Sequence, residues 1–218
     1  MSLSPTERTQ ITRSRERART SREELFEFLA SQLVAHVAVD AGDHPVVLPV
    51  AYAVDACADL LYLHGSVGAG WLRRAPGTTV CVTVTALDGL VLARSGFHHS
   101  VNYRSAVVIG PCRLVTSDAE RAHALDLVVD QIVPGRAATL RPPTRKELAA
   151  TAVLAVPLAE ASLKVRDGGV NDEPEDVEAG TWAGVLPLSP VAGPLETDPL
   201  TSAPVPPDVA ARAEQLRR

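Results

Sequence analysis

The sequence predicts a mainly β domain, an antiparallel barrel with peripheral helices and about six strands in a Greek-key-like order. Three observations predict it. Between Val34 and Thr116 almost every segment reads as strand, in runs 33–40, 45–54, 60–64, 78–87, 90–96 and 102–116 rich in Val, Leu and Thr. The links between these runs are too short for crossover helices, so successive strands must turn back on one another. Three capping-box signatures place the helices outside that block, starting at Ser21, Ser117 and Thr144.

The elements follow in chain order. Residues 1–20 are polar and aperiodic and read as a flexible arm. Its basic run, Arg13 to Arg19, is broken by Glu16 and reads as a solvated strip or a docking strip for a partner. Behind Ser21, the residues Leu25, Phe28, Leu29 and Leu33 fall at helical spacing, predicting a helix over 22–32. Leu87-Asp88-Gly89-Leu90 reads as a hairpin turn, because Asp-Gly suits the positive φ angles of a two-residue loop. The Ser117 box opens a helix with the apolar stripe Leu125, Val128, Val129 and Ile132, ending before Pro134-Gly135. Thr144 opens a shorter one. Residues 152–166 predict one more strand. The barrel domain is thus expected over 21–189, and a Pro-rich tail over 190–218 closes with a short helix from 208. Such a tail cannot bury enough apolar surface to fold alone, so it drapes over the barrel or stays mobile.

Composition excludes several classes. The net charge of −5 argues against a nucleic-acid partner, which needs an excess of cations on one face. No apolar run approaches the ~20 residues of a membrane helix. The charged N-terminus has no apolar segment behind it, so it does not read as a secretory signal. Cys57, Cys81 and Cys112 are odd in number and widely spaced, which suggests neither a disulfide framework nor a zinc knuckle. Together these point to a cytoplasmic protein.

Two segments could carry chemistry. In the first, a strand ends at His64 and runs through Gly65, Ser66, Gly68 and Gly70 into an amphipathic turn. Glycine lets backbone N–H groups approach a ligand, so this corner reads as a phosphate site or as a tight structural turn. The second is the polar insertion Arg94 to Ser105, holding His98, His99, Asn102, Tyr103 and Arg104 between two apolar strands. The adjacent histidines have no acidic or cysteine ligand at metal spacing, so no metal is assigned. The insertion reads as a polar surface turn with no ligand or as a ligand contact, in which Arg104 can fork around a phosphate and Asn102 and Ser105 can donate. No Gly-x-Ser-x-Gly elbow or Cys–His pair supports nucleophilic catalysis.

In this order the segments resemble the flavin-nucleotide-binding branch of the pyridoxamine 5′-phosphate oxidase-like family. The resemblance runs from about Ser21 through Leu188. It includes Leu-Tyr-Leu-His-Gly-Ser at 61–66, the run 80–95, and His-His-Ser-Val-Asn-Tyr-Arg-Ser at 98–105. It continues through Val-Pro-Gly-Arg at 133–136, Arg-Pro-Pro-Thr at 141–144, Glu-Ala-Ser-Leu-Lys-Val-Arg at 160–166 and Trp-Ala-Gly-Val-Leu-Pro-Leu at 182–188.

The resemblance implies an FMN-binding split barrel, a homodimer with FMN in grooves at the interface. Leu48, Pro49 and Val50 would line the isoalloxazine, mostly through backbone groups. His64, Gly65 and Ser66, with Gly68 and Gly70, would lie by the phosphate. Asn102, Tyr103, Arg104 and Ser105 would contact the flavin, joined by Lys164 and by Trp182 from either chain. Many relatives place Ser-Arg or Ser-Lys where Ala69-Gly70 stands, so the phosphate charge would fall to Arg73, Arg74, Arg104 or Lys164. The implied activity is hydride transfer at flavin N5 to or from a small organic substrate, with NAD(P)H as electron donor. His98, His99 and Tyr103 are the candidates for proton donors or for simple cofactor contacts. The sequence has no second Arg/His cluster for a substrate phosphate, which argues against true pyridoxamine-phosphate oxidase activity. The alternatives are a non-catalytic flavin carrier or sensor, and the same barrel holding a deazaflavin or a haem ligated by His64, His98 or His99.

Overall fold

The computed structural model describes Leu3 and residues 6–217. Ten strands run β1 (Ala18–Arg19), β2 (Val34–Asp40), β3 (Pro45–Asp55), β4 (Leu60–Ser66), β5 (Thr79–Leu92), β6 (Ser100–Pro111), β7 (Arg113–Leu114), β8 (Thr151–Pro157), β9 (Ala161–Arg166) and β10 (Gly184–Pro187). Six helices accompany them: α1 (Arg22–Ser31), α2 (Gly70–Arg74), α3 (Asp118–Ile132), α4 (Arg145–Ala150), α5 (Pro174–Glu178) and α6 (Pro207–Gln215).

All pairings are antiparallel, in the order β1-β9-β6-β5-β2-β3-β4-β8-β7, with β10 added to β5. β3 serves both halves of the sheet. Its first part pairs with β2 up to Val34↔Ala51, and its second part pairs with β4 from Tyr52↔Leu63 onward. At that hand-over the inside/outside alternation breaks, and both Tyr52 and Ala53 are buried. The ends of the sheet curl together without closing a hydrogen-bonded ring. Gly110 of β6 comes so close to β8 that a Cβ there would lie 3.3 Å from the Pro157 carbonyl oxygen. The fold is a split barrel.

The interior follows from the period-2 pattern of the strands. Val37 and Val39 on β2, Val80, Val82 and Val84 on β5, Leu61 and Leu63 on β4, and Leu154 and Val156 on β8 all face one core. Helix α1 plugs it with Leu25, Phe28 and Leu29. A ten-residue helix is marginal alone, so this burial, worth about 1.5–3 kcal/mol per large side chain, is what holds it. Buried Tyr52 ties the plug down by donating its hydroxyl to Leu29 O at 2.5 Å. A second cluster backs the other face of β4 and β8, where Tyr62, Val153 and Ala155 pack on Val115 and on Ala124 of α3.

The structure departs from the sequence reading in three places, and it takes one of the two alternatives offered for the tail. Asp88-Gly89 is no hairpin turn: β5 runs straight through it, the register with β6 shifts between Leu87 and Gly89, and neither residue has positive φ. A bulge resembles a turn in composition because both absorb one irregular residue. Residues 152–166 form two strands, β8 and β9, joined by a tight connection in which Leu158 N–H donates to Asp59 O. With the short β1, β7 and β10, this raises the count above six. The arm expected to be flexible lies along β9: Leu3 and Thr9 are buried, Arg8 pairs with Glu160, and Ala18 sits in register with Lys164. The Pro-rich tail drapes, since Arg212 of α6 donates to Ile132 O at 3.0 Å and Asp208 meets Arg136 at 3.4 Å.

Candidate cofactor site

Alternation along β5 sends Val80, Val82 and Val84 inward and Cys81, Thr83, Thr85 and Leu87 outward. Register then assembles an outward face from distant segments. Thr85 lies beside Ser105, their hydroxyls 3.5 Å apart, and Ser105 lies beside Lys164. Thr83 lies beside His36, and His36 beside Pro49. Tyr103 pairs with Leu87 and Arg166 on the same side. Pro49, Tyr103, Ser105 and Lys164 therefore share one surface, which runs over the five strands β9, β6, β5, β2 and β3. Val50 points the other way, into the core, as does Leu48. Only their backbone reaches this surface.

The remaining polar candidates have protein partners. Arg104 is forked onto Asp88 with contacts of 3.0 and 2.8 Å, and its guanidinium lies 5.3 Å from the Phe28 ring centroid. Lys164 Nζ donates to Arg13 O at 2.9 Å. Buried Asn102 accepts from Arg166, which also donates to the carbonyls of Gly168 and Gly169. The insertion 94–105 is fastened to the acidic loop by Asp172, whose side chain is 1 % exposed and accepts from both the backbone and the guanidinium of Arg94. Burial alone would raise the Asp172 carboxyl, but the hydrogen bonds and charge of Arg94 outweigh it and hold the group below the usual carboxylate range. His98 faces Glu173 at 3.7 Å and meets Phe97 edge-on. The His99 Nδ1 lies 2.9 Å from Ser95 O. Trp182 is 69 % exposed and turns its ring over Gly184.

The glycine corner is closed within itself. Val67 N–H donates to Ala150 O, Ala69 N–H to Ser66 O, and Gly68 N–H to the Ser66 hydroxyl. Gly65 sits against Leu72, where a Cβ would fall 2.8 Å from its Cδ1, so the glycine serves a close approach of α2. Gly70 opens α2. Of the four cations nominated for a phosphate, Arg104 and Lys164 are engaged, while Arg73 and Arg74 have no partner among the described residues.

His64 stands apart. It is the residue after Leu63, at the end of the β3–β4 ladder, on the outward side of β4 with Tyr62. Its Nδ1 is enclosed and has no hydrogen-bond partner, and Nε2 makes no hydrogen bond among the described residues. Burial pushes its pKa below the ordinary 6.5, so the ring is neutral with a free lone pair at neutral pH. Sequence reasoning missed Thr85, Asp88, Phe28 and Arg166 as parts of this region. The alternation of Thr79, Thr83 and Thr85 in an otherwise apolar strand was the signal for the first.

A family model described as pyridoxamine 5′-phosphate oxidase matches residues 21–165, about two thirds of the chain. The chain belongs to the pyridoxamine 5′-phosphate oxidase family. Among solved structures, this family member is 35 % identical to the flavocytochrome Anf3 of Azotobacter vinelandii, with 96 % of this chain and 98 % of that one covered and a TM-score of 0.89. It is 43 % identical to the FAD- and haem-binding protein of Mycobacterium smegmatis, with 90 % and 97 % covered and a TM-score of 0.85. A Bacteroides thetaiotaomicron structure at 22 % identity, covering 68 % of this chain and 86 % of its own, shares the fold with a TM-score of 0.55. No curated protein matches. Among the described residues, no helix is long and apolar enough to cross a membrane.

Proposed function

We propose that this family member is a cytoplasmic, homodimeric redox protein that binds a flavin nucleotide and a haem, with His64 ligating the haem iron. The observation that carries the reading is the His64 imidazole, neutral by burial and with neither nitrogen engaged, in a chain so similar along its length to two proteins described as flavin- and haem-binding. Of the three histidines considered as axial ligands, His98 faces Glu173 and His99 is held to Ser95 O. Of these three, only His64 has both ring nitrogens uncommitted.

When bound, the flavin supplies two-electron and the haem one-electron chemistry. For the flavin, the row Thr85, Ser105 and Lys164 offers two hydroxyls and an ammonium beside the flat surface at Pro49. Arg74, unpartnered among the described residues, is the cation left free for a phosphate. The Mycobacterium smegmatis relative is described with FAD, so we take FAD in preference to the FMN expected from sequence. The outward face carries Val34 and Val47 at 50 % and 60 % exposure, an apolar patch that a second copy would cover. A small-molecule substrate and NAD(P)H as donor remain part of the reading.

The absorption spectrum of the purified protein, with the bound nucleotide extracted and weighed, tests it. Flavin bands together with a Soret band are expected, and His64→Ala should lose the Soret band and keep the flavin. Flavin bands with no Soret band, even after incubation with haemin, would sink the haem reading and leave a flavin-only protein. Failure of NADH and NADPH to reduce the bound flavin would favour a carrier over an oxidoreductase.

A further inference from the structure

A cavity of about 540 Å³, a volume suited to a small ligand, lies at the end of the barrel between α2, the β7 region, β8 and the start of α3. Its walls are apolar: Val67, Leu72, Pro76, Leu114, Val115 and Ala152 line it. Two arginines, Arg73 and Arg121, line it as well. Arg121 is positioned by its neighbours, with Nη1 donating to Leu148 O at 3.2 Å and Nη2 to Asp118 at 2.8 Å. Its Nε is enclosed without a hydrogen-bond partner. Arg73 has no partner at all among the described residues. Asp118, the carboxylate paired with Arg121, is 85 % exposed and offsets little of that charge. No residue of the outward face described above takes part.

We infer that this cavity is a binding site for an apolar carboxylate, whose hydrocarbon body fills the cleft and whose anionic end meets Arg73 and Arg121. Two donors in guanidinium geometry read a carboxylate far better than a neutral amide of the same shape, and the apolar walls reward a ring or chain over acetate. Two sources present that chemistry: a free small carboxylic acid and the propionate edge of a haem. The site itself does not depend on the haem reading, because its lining is complete without His64.

Calorimetric titration of the full-length protein with 1-naphthoate and with neutral 1-naphthamide tests it, alongside titration with haemin followed in the Soret region. A free-acid site binds naphthoate once per chain, at least about tenfold tighter than the amide, and loses about tenfold in affinity in Arg73→Gln. A haem-propionate site ignores naphthoate but shows the same loss for haemin in Arg73→Gln. Arg73 is exposed and unpartnered, so that variant folds normally. Ala152→Leu, which fills the cleft, should weaken whichever ligand binds while leaving the flavin bands unchanged. Affinities for both ligands that are unmoved by both substitutions overturn the inference. Since His64→Ala leaves this cavity intact, loss of naphthoate binding there would not be expected, and the two readings fail separately.

Discussion

Arg104 shows how a residue that looks like a ligand can be committed within the fold. Its fork is closed by Asp88, yet both side chains are about one third exposed, and such pairs stabilise a protein by only about 0.2–1 kcal/mol. Asp88→Asn should therefore shift the denaturation free energy by less than about 1 kcal/mol, measured by urea titration. The small cost also means that an anionic ligand could draw the guanidinium away. His64 behaves in the opposite way. Its folded pKa is depressed, so the neutral ring is favoured in the folded state, and its contribution is fully present above the unfolded value of 6.5. As pH falls below 6.5 the unfolded chain takes the proton first, and that stability is lost. The ligand-free protein should lose Tm between about pH 7 and pH 5, and His64→Gln should flatten part of that slope. An identical slope in the variant would assign the loss to other groups.

At the scale of elements, the strands depend on inward alternation and one close contact. Leu154 of β8 is fully buried, so Leu154→Ala should cost about 2–5 kcal/mol by chemical denaturation. Gly110→Val would drive a side chain into the Pro157 carbonyl and the Val156 side chain where the barrel ends meet, at a cost of about 1–3 kcal/mol. Much of this architecture was legible beforehand. The Ser21, Ser117 and Thr144 caps each receive the backbone N–H expected of them, and α1, α3 and α4 start where those residues stand. What was not legible was decided by partners far away in sequence. Asp88-Gly89 becomes a bulge because β6 and β10 hold β5 extended on both edges, which no local pattern records. The engagement of Arg104 by Asp88, of Lys164 by Arg13 and of Asn102 by Arg166 likewise depends on register, and register cannot be read from composition.

Across the whole molecule, the outward face is where the strands converge, and its apolar rim is where the second copy in the proposed dimer would make contact. Val47→Glu should give a monomer by analytical ultracentrifugation and release flavin, because a buried unpaired carboxylate at an apolar contact is strongly unfavourable. A variant that stays dimeric with flavin bound would move the interface elsewhere. The long strand β5 has a further consequence. Along one edge it is paired by β2 at residues 81–83 and, beyond the bulge, by β10 at residues 89–92. The segment supplying β10 arrives late in the chain, nearly a hundred residues after its partner, so a ribosome releases β5 long before that edge can be covered. A version truncated ahead of Gly184 would keep the barrel but offer a bare ribbon to neighbouring molecules, and domain exchange or aggregation is the failure it invites.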